Sequence, residues 1–281
     1  MDQGGTWFFN EASKSLALQL VEEGFDVWVT NNRGTKMSNE HIRYTSEDAE
    51  YWNFTLYEFA RYDLIANLEY IKEHTGFEQL IYIGHSMGTT QWLYGNTLNP
   101  DLHKSYKAFI ALAPVAYAND VNTLYYTTVR VMKLADILME LGQGFSQANE
   151  ISTYLLRLTG HFFPRTIWAF YSSLLGGNLH GPHIDFARLP IAAVNDMAGT
   201  SPKIIINMLQ IQQSYPKQFD YGVQGNIEHY GMETPPKYEL ECLRERLAEV
   251  PILIVLGEVD PFTVQGNFER LMAVLPDEDL I

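Results

Sequence analysis

The sequence predicts an α/β fold with a mostly parallel β-sheet, and two observations lead to this fold class. Short apolar runs typical of buried strands alternate along the chain with stretches whose apolar residues recur at helical spacing. Strands that alternate with helices form a parallel sheet, because each helix returns the chain to the end where the previous strand began. The 281 residues, 46% of them hydrophobic, also suffice to bury the core of such a fold.

Two predicted amphipathic helices are bounded by glycine. Residues 12–23 place an apolar stripe on one helical face and precede Gly24, and residues 55–74 do the same ahead of Gly76. Glycine ends helices readily because it adopts the left-handed conformation just past the last turn. We therefore expect helices over these two ranges, and a third over residues 89–98.

Four short apolar runs are predicted strands, namely residues 25–29, 80–83, 108–112 and 250–256. The segment 115–249 breaks this rhythm, because it is helix-like, rich in aromatic residues and far longer than an ordinary sheet connection. We expect residues 1–114 and 250–281 to form the core domain. Residues 115–249 are expected to form a helical cap over the carboxyl edge of the sheet, where α/β proteins bind ligands.

Composition excludes some classes of partner. The net charge of −15 argues against nucleic-acid binding, and against docking on anionic lipid by charge alone. Cys242 is the single cysteine, so no internal disulfide can form. No apolar stretch approaches the length of a membrane span, so we expect no integral membrane segment in these residues. Neutral substrates suit this acidic surface.

The stretch 84–88, GHSMG, places Ser86 directly after a predicted strand and directly before a predicted helix. Glycines on both sides relieve crowding in such a sharp turn, and a serine at its apex stands exposed. This is the pattern of a nucleophile elbow, so Ser86 is the candidate catalytic nucleophile.

A serine of this kind needs a carboxylate and a histidine, which follow it along the chain in that order. Asp260 lies just past the last predicted strand, at the same sheet edge as Ser86, where its carboxylate could orient a histidine. Glu258 is the nearest alternative, but Asp260 lies further out of the strand, and Pro261 holds its turn. An aspartate before proline is also a common turn residue.

The base is missing from its usual place, because no histidine follows Asp260. His85 adjoins the serine, but neighbouring side chains on a tight turn point apart. Histidines within residues 115–249 are more often surface or core residues, and His229 is the first alternative among them. Only 21 residues follow Asp260, whereas the helix and strand expected before the base need about 25 to 35. We therefore expect the base to lie outside this chain. The histidines are His41, His74, His85, His103, His161, His180, His183 and His229.

With Ser86, Asp260 and the insertion in place, the chain resembles the acid lipase family of α/β-hydrolases, which includes gastric and lysosomal lipases and steryl ester hydrolases. The matching stretches are residues 15–17, 24–28, 31–35, 50–54, 62–64, 84–90, 112–116, 198–201 and 219–222. One departure is Met87, where the family usually has glutamine. The oxyanion hole uses the backbone N–H at this position, so we expect Met87 to supply that donor.

The resemblance implies an α/β-hydrolase fold and assigns the family's catalytic serine to Ser86 and its aspartate to Asp260. The family histidine has no counterpart here, and the segment that supplies the second oxyanion donor would precede Met1, so truncation at both ends is expected. The resemblance also implies a lipase that acts on triacylglycerols or sterol esters at a lipid–water interface, without a metal or organic cofactor. Family membership suggests a lysosomal, secreted or lipid-droplet location.

The alternative function is a catalytically inactive lipid-binding relative or scaffold. The missing histidine favours this alternative, whereas the intact elbow disfavours it. An incomplete fragment of a longer active enzyme would also explain both missing ends, and a histidine encoded downstream would separate these cases.

Overall fold

The computed structural model describes residues 3–119, 121, 123, 127–128, 132–142, 144, 150–175, 185–188, 190–192, 198–258 and 260–276. The chain divides into two compact units. The first comprises Met1–Asn53 and Val131–Pro202, and the second comprises Phe54–Arg130 and Lys203–Ile281. The second unit contains the sheet and is the one that carries Ser86.

Three strands of the described chain form one sheet in the order β1–β2–β3, and both pairings are parallel. The strands are β1 (Leu80–His85), β2 (Tyr106–Leu112) and β3 (Ile252–Val255). The predicted parallel sheet is therefore confirmed. Because parallel strands end at the same edge, the loops that follow all three strands share the carboxyl edge of the sheet.

Besides a short helical turn at Leu56–Glu58, the described chain has the following helices, in sequence order. They are α1 (Leu16–Glu22), α2 (Leu64–Thr75), α3 (Met87–Leu98), α4 (Leu134–Glu140), α5 (Glu150–Phe162), α6 (Pro164–Leu175), α7 (Pro202–Gln212), α8 (Gly222–Tyr230), α9 (Leu243–Arg246) and α10 (Gln265–Met272). Short 3₁₀ turns span Gly4–Trp7, Ala12–Lys14, Ala49–Trp52, Leu102–Ser105 and Leu240–Cys242. No helix of the described chain is both long and apolar enough to cross a bilayer.

Glycine ends both of the helices for which it was predicted to do so. Gly24 follows α1 with a φ of 88°, and Gly76 caps α2 with a φ of 73°. The approach to α2 begins at Thr55, which forms a reciprocal capping box with Glu58. A π-helical turn, Phe59–Asp63, then leads into α2. The helices predicted over 12–23 and 55–74 are thus confirmed, with this turn as an added irregularity.

The strand predicted over residues 25–29 is wrong. These residues have no regular secondary structure, and no described strand pairs with them. Phe25 is 52% exposed and Trp28 39% exposed, and the Trp28 indole donates a local hydrogen bond to the Asp26 carboxylate. Alternating apolar residues form a strand only where a neighbouring strand completes the hydrogen-bond ladder, and that neighbour is missing among the described residues.

An aromatic cluster fixes α3 on the sheet. The Trp92 ring of α3 is fully buried and stacks on Phe109 of β2, with ring centroids 4.0 Å apart. Tyr82 and Tyr106 pack against the same tryptophan. Burying one large aromatic side chain contributes about 1.5–3 kcal/mol, so this cluster sets how α3 lies relative to the strands.

In the first unit, the backbone around Trp52 is held by contacts from distant residues. The Ser201 hydroxyl donates a hydrogen bond to the Trp52 carbonyl, and the indole N–H of Trp52 donates to the Ser46 carbonyl. A side chain at Gly199, whose φ is 97°, would lie 2.8 Å from the Gly34 carbonyl oxygen. Glycine is required there by both space and conformation.

The described part of residues 115–249 contains helices α4 to α9, and an isolated antiparallel bridge joins Lys217 to Lys237. The compact units divide this segment, with residues 131–202 in the first unit and 203–249 in the second. The proposed division into a core and a single cap that covers Ser86 stays a prediction.

Candidate active site

Ser86 lies in a sharp turn between the last residue of β1 and the first residue of α3. Its φ of 51° and ψ of −116° fall in a region that residues with a side chain rarely adopt. The serine is half-buried. The strand-to-helix turn expected from the GHSMG stretch is therefore present, with the strain concentrated on the serine.

Of the two glycines that flank Ser86, only Gly84 lies where an added side chain would clash with neighbouring atoms. A side chain at Gly84 would lie 2.9 Å from the Tyr82 ring and 3.0 Å from the backbone of Gly88 and Thr89. At Gly88 the nearest atom outside its own helix would be the Tyr82 hydroxyl at 3.8 Å, an ordinary contact. The turn brings the first turn of α3 directly against the end of β1, and Gly84 permits that approach.

The peptide groups of Ser86 are fully engaged. Its N–H donates to the Leu112 carbonyl at 2.9 Å, which ties the elbow to the end of β2. Its carbonyl accepts from the Thr89 N–H at 2.9 Å, from the Thr89 hydroxyl at 2.5 Å and from the Thr90 N–H at 3.4 Å. These bonds fix the backbone on both sides of the serine, so its side chain is presented in one direction.

Met87 is the first residue of α3, so its N–H has no carbonyl one turn earlier within the helix. The N-terminus of a helix carries a partial positive charge and favours an anion. At the other end of α3, Arg246 donates to the carbonyls of Asn96 and Thr97, and Arg61 to the Leu98 carbonyl at 3.3 Å. Guanidinium groups are favourable at a helix C-terminus, so these arginines stabilise the helix that presents the Met87 N–H.

Asp260 follows β3 at the same sheet edge as Ser86, and its carboxylate closes its own turn. One carboxylate oxygen accepts from the Phe262 N–H at 2.8 Å and from the Thr263 N–H at 3.4 Å. The other accepts from the Thr263 hydroxyl at 3.0 Å. These contacts match the turn aspartate that the sequence also allowed. The competing carboxylate, Glu258, is exposed.

None of the histidines that the structure describes is hydrogen-bonded to the Ser86 hydroxyl. His85 is exposed beside the serine, and His229 is exposed and stacks on Tyr221 with ring centroids 4.0 Å apart. His180 and His183 lie outside the described residues. The structure thus gives Ser86 and Asp260 the expected positions along the fold but brings no described histidine to the serine.

His229 instead lines a separate cleft of about 240 Å³ in the second unit. Tyr221 also lines this cleft, and its ring stacks on His229 and has the Lys203 ammonium 4.8 Å from its centre. Burial lowers the pKa of Lys203. Neither Ser86 nor Asp260 lines this cleft, whose complete lining is Thr55, Tyr57, Glu58, Gln218, Tyr221, His229 and Tyr230. It is a polar cleft and does not provide the apolar wall that a fatty acyl chain requires.

Sequence reasoning did not identify Thr89, Thr90 or Tyr82 as parts of the elbow. Each holds the turn through a hydroxyl that is hydrogen-bonded to a backbone group. The partner of Tyr82 is Gly88, six residues further along the chain. The two threonines bind Val115, which is 25 or more residues away in sequence. A motif of five residues carries no signal for such contacts. Within the described residues, no group of three or more His, Cys, Asp and Glu side chains could hold a metal ion.

Comparisons with known proteins agree with this geometry. Residues 4–119 match the family model described as alpha/beta hydrolase fold. The chain is similar to the lysosomal acid lipase/cholesteryl ester hydrolase of Rattus norvegicus, at 32% identity over 96% of this chain and 67% of that protein. Lipase member K of Homo sapiens is 31% identical, over 95% of this chain and 66% of that protein. The gastric triacylglycerol lipase of Rattus norvegicus is 29% identical, over 90% of this chain and 64% of that protein.

The chain thus spans 64 to 67% of the length of these three relatives. The match to the rat lysosomal lipase covers nearly all of this chain and two thirds of that enzyme. The strained serine between β1 and α3 also lies inside the region matched by the family model. The chain therefore belongs to the acid lipase family of α/β-hydrolases.

Proposed function

We propose that this chain carries the catalytic serine of a lipase, a carboxylic ester hydrolase acting on neutral lipid esters. The observation that supports this most is the conformation of Ser86, a half-buried serine at positive φ between a parallel strand and a helix. Such strain persists only where the surrounding structure enforces it, and it is typical of a presented nucleophile.

In the proposed reaction, the Ser86 oxygen attacks the ester carbonyl carbon, and the carbonyl electron pair moves onto oxygen. The Met87 N–H at the start of α3 donates a hydrogen bond to this oxyanion. Collapse of the intermediate breaks the bond to the alcohol, which leaves with a proton, and an acyl-serine remains. Water then attacks the acyl carbon, the acid is released, and Ser86 regains its proton.

A histidine takes and returns the proton in this scheme, and we propose that it lies outside these 281 residues. Asp260 would orient it. A carboxylate offers about four lone pairs, and the turn of Asp260 uses three of them. The oxygen that binds the Thr263 hydroxyl therefore keeps a lone pair for an imidazole N–H, which would hold the histidine in the required tautomer.

The substrate class is proposed from the relatives and from the charge. By their names, two of the similar proteins act on triacylglycerols and cholesteryl esters. Both are neutral esters, and neutral esters suit a chain with a net charge of −15 because they avoid repulsion from an acidic surface. Triacylglycerols and sterol esters are thus the proposed substrates, bound at a lipid–water interface.

The test uses the full protein, meaning the full-length protein that includes the proposed histidine. It measures turnover of a short p-nitrophenyl ester by this protein and by two serine variants of it. Ser86→Ala should lower kcat by several orders of magnitude, since loss of a triad serine costs up to about a millionfold. Ser13→Ala removes an exposed hydroxyl in the first unit and should leave turnover unchanged. Undiminished turnover in Ser86→Ala would contradict the proposal. Lipid-ester binding by a wild-type protein that shows no turnover would instead favour the non-catalytic relative.

A further inference from the structure

Two neighbouring strands end on residues in the left-handed region. Ser86 follows β1 with a φ of 51°, and Ala113 follows β2 with a φ of 48°. The last residues of the two strands, His85 and Leu112, are paired in register. The Ser86 N–H donates to the Leu112 carbonyl, and the Ala113 N–H donates to Val255 at 2.8 Å. The two strained turns therefore lie side by side at the carboxyl edge of the sheet.

Thr89 in the first turn of α3 joins these two turns. Its side chain is fully buried, and its hydroxyl both donates to the Ser86 carbonyl at 2.5 Å and accepts from the Val115 N–H at 2.9 Å. The next residue, Thr90, donates from its hydroxyl to the Val115 carbonyl. Two consecutive threonines thus hold both backbone groups of Val115, just past the strained Ala113.

A threonine in a helix often bonds back to a carbonyl three or four residues earlier without further consequence. Thr97 does this in the same helix, where its hydroxyl donates to the Tyr94 carbonyl at 2.8 Å. Thr89 differs in two respects. The carbonyl it binds belongs to the strained serine, and its hydroxyl also accepts an N–H from the loop after β2. Thr97 is therefore a matched control.

The peptide plane explains why this contact reaches the chemistry. The Ser86 carbonyl and the Met87 N–H belong to one planar trans peptide group, in which they point in opposite directions. The Ser86 carbonyl also accepts the backbone N–H groups of Thr89 and Thr90, and the Thr89 hydroxyl adds a third bond to it. By narrowing the direction of the carbonyl, this hydroxyl also narrows the direction of the Met87 N–H. An oxyanion donor is effective only when its direction is set before the charge develops.

We propose that Thr89 is a positioning residue that fixes the Ser86 backbone and aims the Met87 N–H at the oxyanion. This inference rests on the proposed function of Ser86. Thr89 touches no substrate, and it acts through the peptide group between Ser86 and Met87. Thr90 supports the same arrangement by holding Val115 against Thr89.

The experiment measures phosphonylation of the full protein by a fluorophosphonate ester, with the limiting rate separated from the apparent dissociation constant. Thr89→Val keeps the side-chain shape and removes the hydroxyl. It should lower the limiting rate by about 10- to 100-fold, because a misaimed oxyanion donor slows the attack, and it should change the dissociation constant by less than about threefold. Thr89→Ser should restore the rate to within about threefold of wild type, and Thr97→Val should leave it unchanged.

The outcomes separate this inference from the proposed function. Labelling that survives in Ser86→Ala contradicts the proposed function itself. Labelling that depends on Ser86 but proceeds at the wild-type rate in Thr89→Val overturns only the role of Thr89. Slow labelling in both Thr89→Val and Thr89→Ser also overturns it, since the hydroxyl would not be the cause. If Thr89→Val shows no cooperative melting transition, Thr90→Val replaces it and should lower the limiting rate by about three- to tenfold. An unchanged rate in a folded Thr90→Val overturns the inference.

Discussion

The Tyr82 hydroxyl donates a hydrogen bond to the Gly88 carbonyl at 3.0 Å, so a side chain of β1 is tied to the first turn of α3. The two residues lie on either side of Ser86, and the bond closes the turn around it. The elbow is thus held by two side-chain hydroxyls, that of Tyr82 before the serine and that of Thr89 after it. We expect its stability to depend on both contacts.

Removing the Tyr82 hydroxyl tests the first of these supports. Tyr82→Phe should lower the free energy of unfolding by about 1 kcal/mol, because the Gly88 carbonyl loses its side-chain partner while the aromatic packing is kept. Urea denaturation of the wild type and the variant measures this difference. Tyr215→Phe is the control, because this tyrosine is 38% exposed and its hydroxyl has no hydrogen bond to the residues that the structure describes, so the unfolding of this variant should match the wild type. Equal midpoints for all three proteins would show that the Tyr82 bond is not a support.

The two glycines of the GHSMG stretch should respond in opposite ways to alanine. Gly84→Ala should destabilise the protein by about 1–3 kcal/mol, because its new methyl group would lie within 3.0 Å of the Gly88 and Thr89 backbone. Gly88→Ala should be neutral or stabilising by up to about 1 kcal/mol, since the site has room and alanine is the better helix former. Thermal melting of both variants measures the order, and a larger loss at Gly88 would contradict the geometry of the turn.

The C-terminal end of the elbow helix gives a third prediction. Arg246→Ala should lower the free energy of unfolding by about 1–2 kcal/mol, because the carbonyls of Asn96 and Thr97 lose a charged donor at the end of α3. Lys107→Ala, which removes an exposed cation from β2, is the control for loss of charge alone. A similar loss in both variants would assign the effect to net charge rather than to the helix end.

Asp220 gives a pH-dependent prediction. Burial opposes its ionisation, but hydrogen bonds from Asn226, Lys217 and the Gly222 N–H outweigh that effect and hold the pKa of Asp220 below its usual value of 3.8. A carboxyl whose pKa is depressed in the folded state stabilises the fold above pH 3.8. This stabilisation is lost as the pH falls from there through the lowered pKa. The stability difference between wild type and Asp220→Asn should therefore shrink as the pH falls through this window. A constant difference from pH 6 to pH 3 would show that the ionised carboxylate is not responsible.

The sequence predicted the elements whose signals are local. Residues 80–98 carry a complete apolar strand, a glycine-flanked serine and a helix within one short stretch, and the structure has all three in order. Gly24 and Gly76 were predictable for the same reason, since a helix end is marked by the residue that follows it.

Features that depend on a distant partner were not predictable in this way. Residues 25–29 have the pattern of a strand but no described neighbour to pair with, and periodicity alone does not reveal that difference. The hydroxyl of Thr89 finds its role only because β2 ends beside β1, which brings Val115 within 2.9 Å. The elbow could thus be located from its sequence, whereas the contacts that hold it required the fold.

The most direct test of the central claim is the position of a covalent fluorophosphonate adduct in the full protein. Trypsin cleaves after Lys72 and Lys104, and Ser86 is the only serine in the resulting peptide 73–104. Tandem mass spectrometry of the labelled protein should place the phosphonate on Ser86, with the adduct absent after prior denaturation. An adduct confined to any other residue, or a folded protein that never labels on peptide 73–104, would contradict the assignment of Ser86 as the nucleophile.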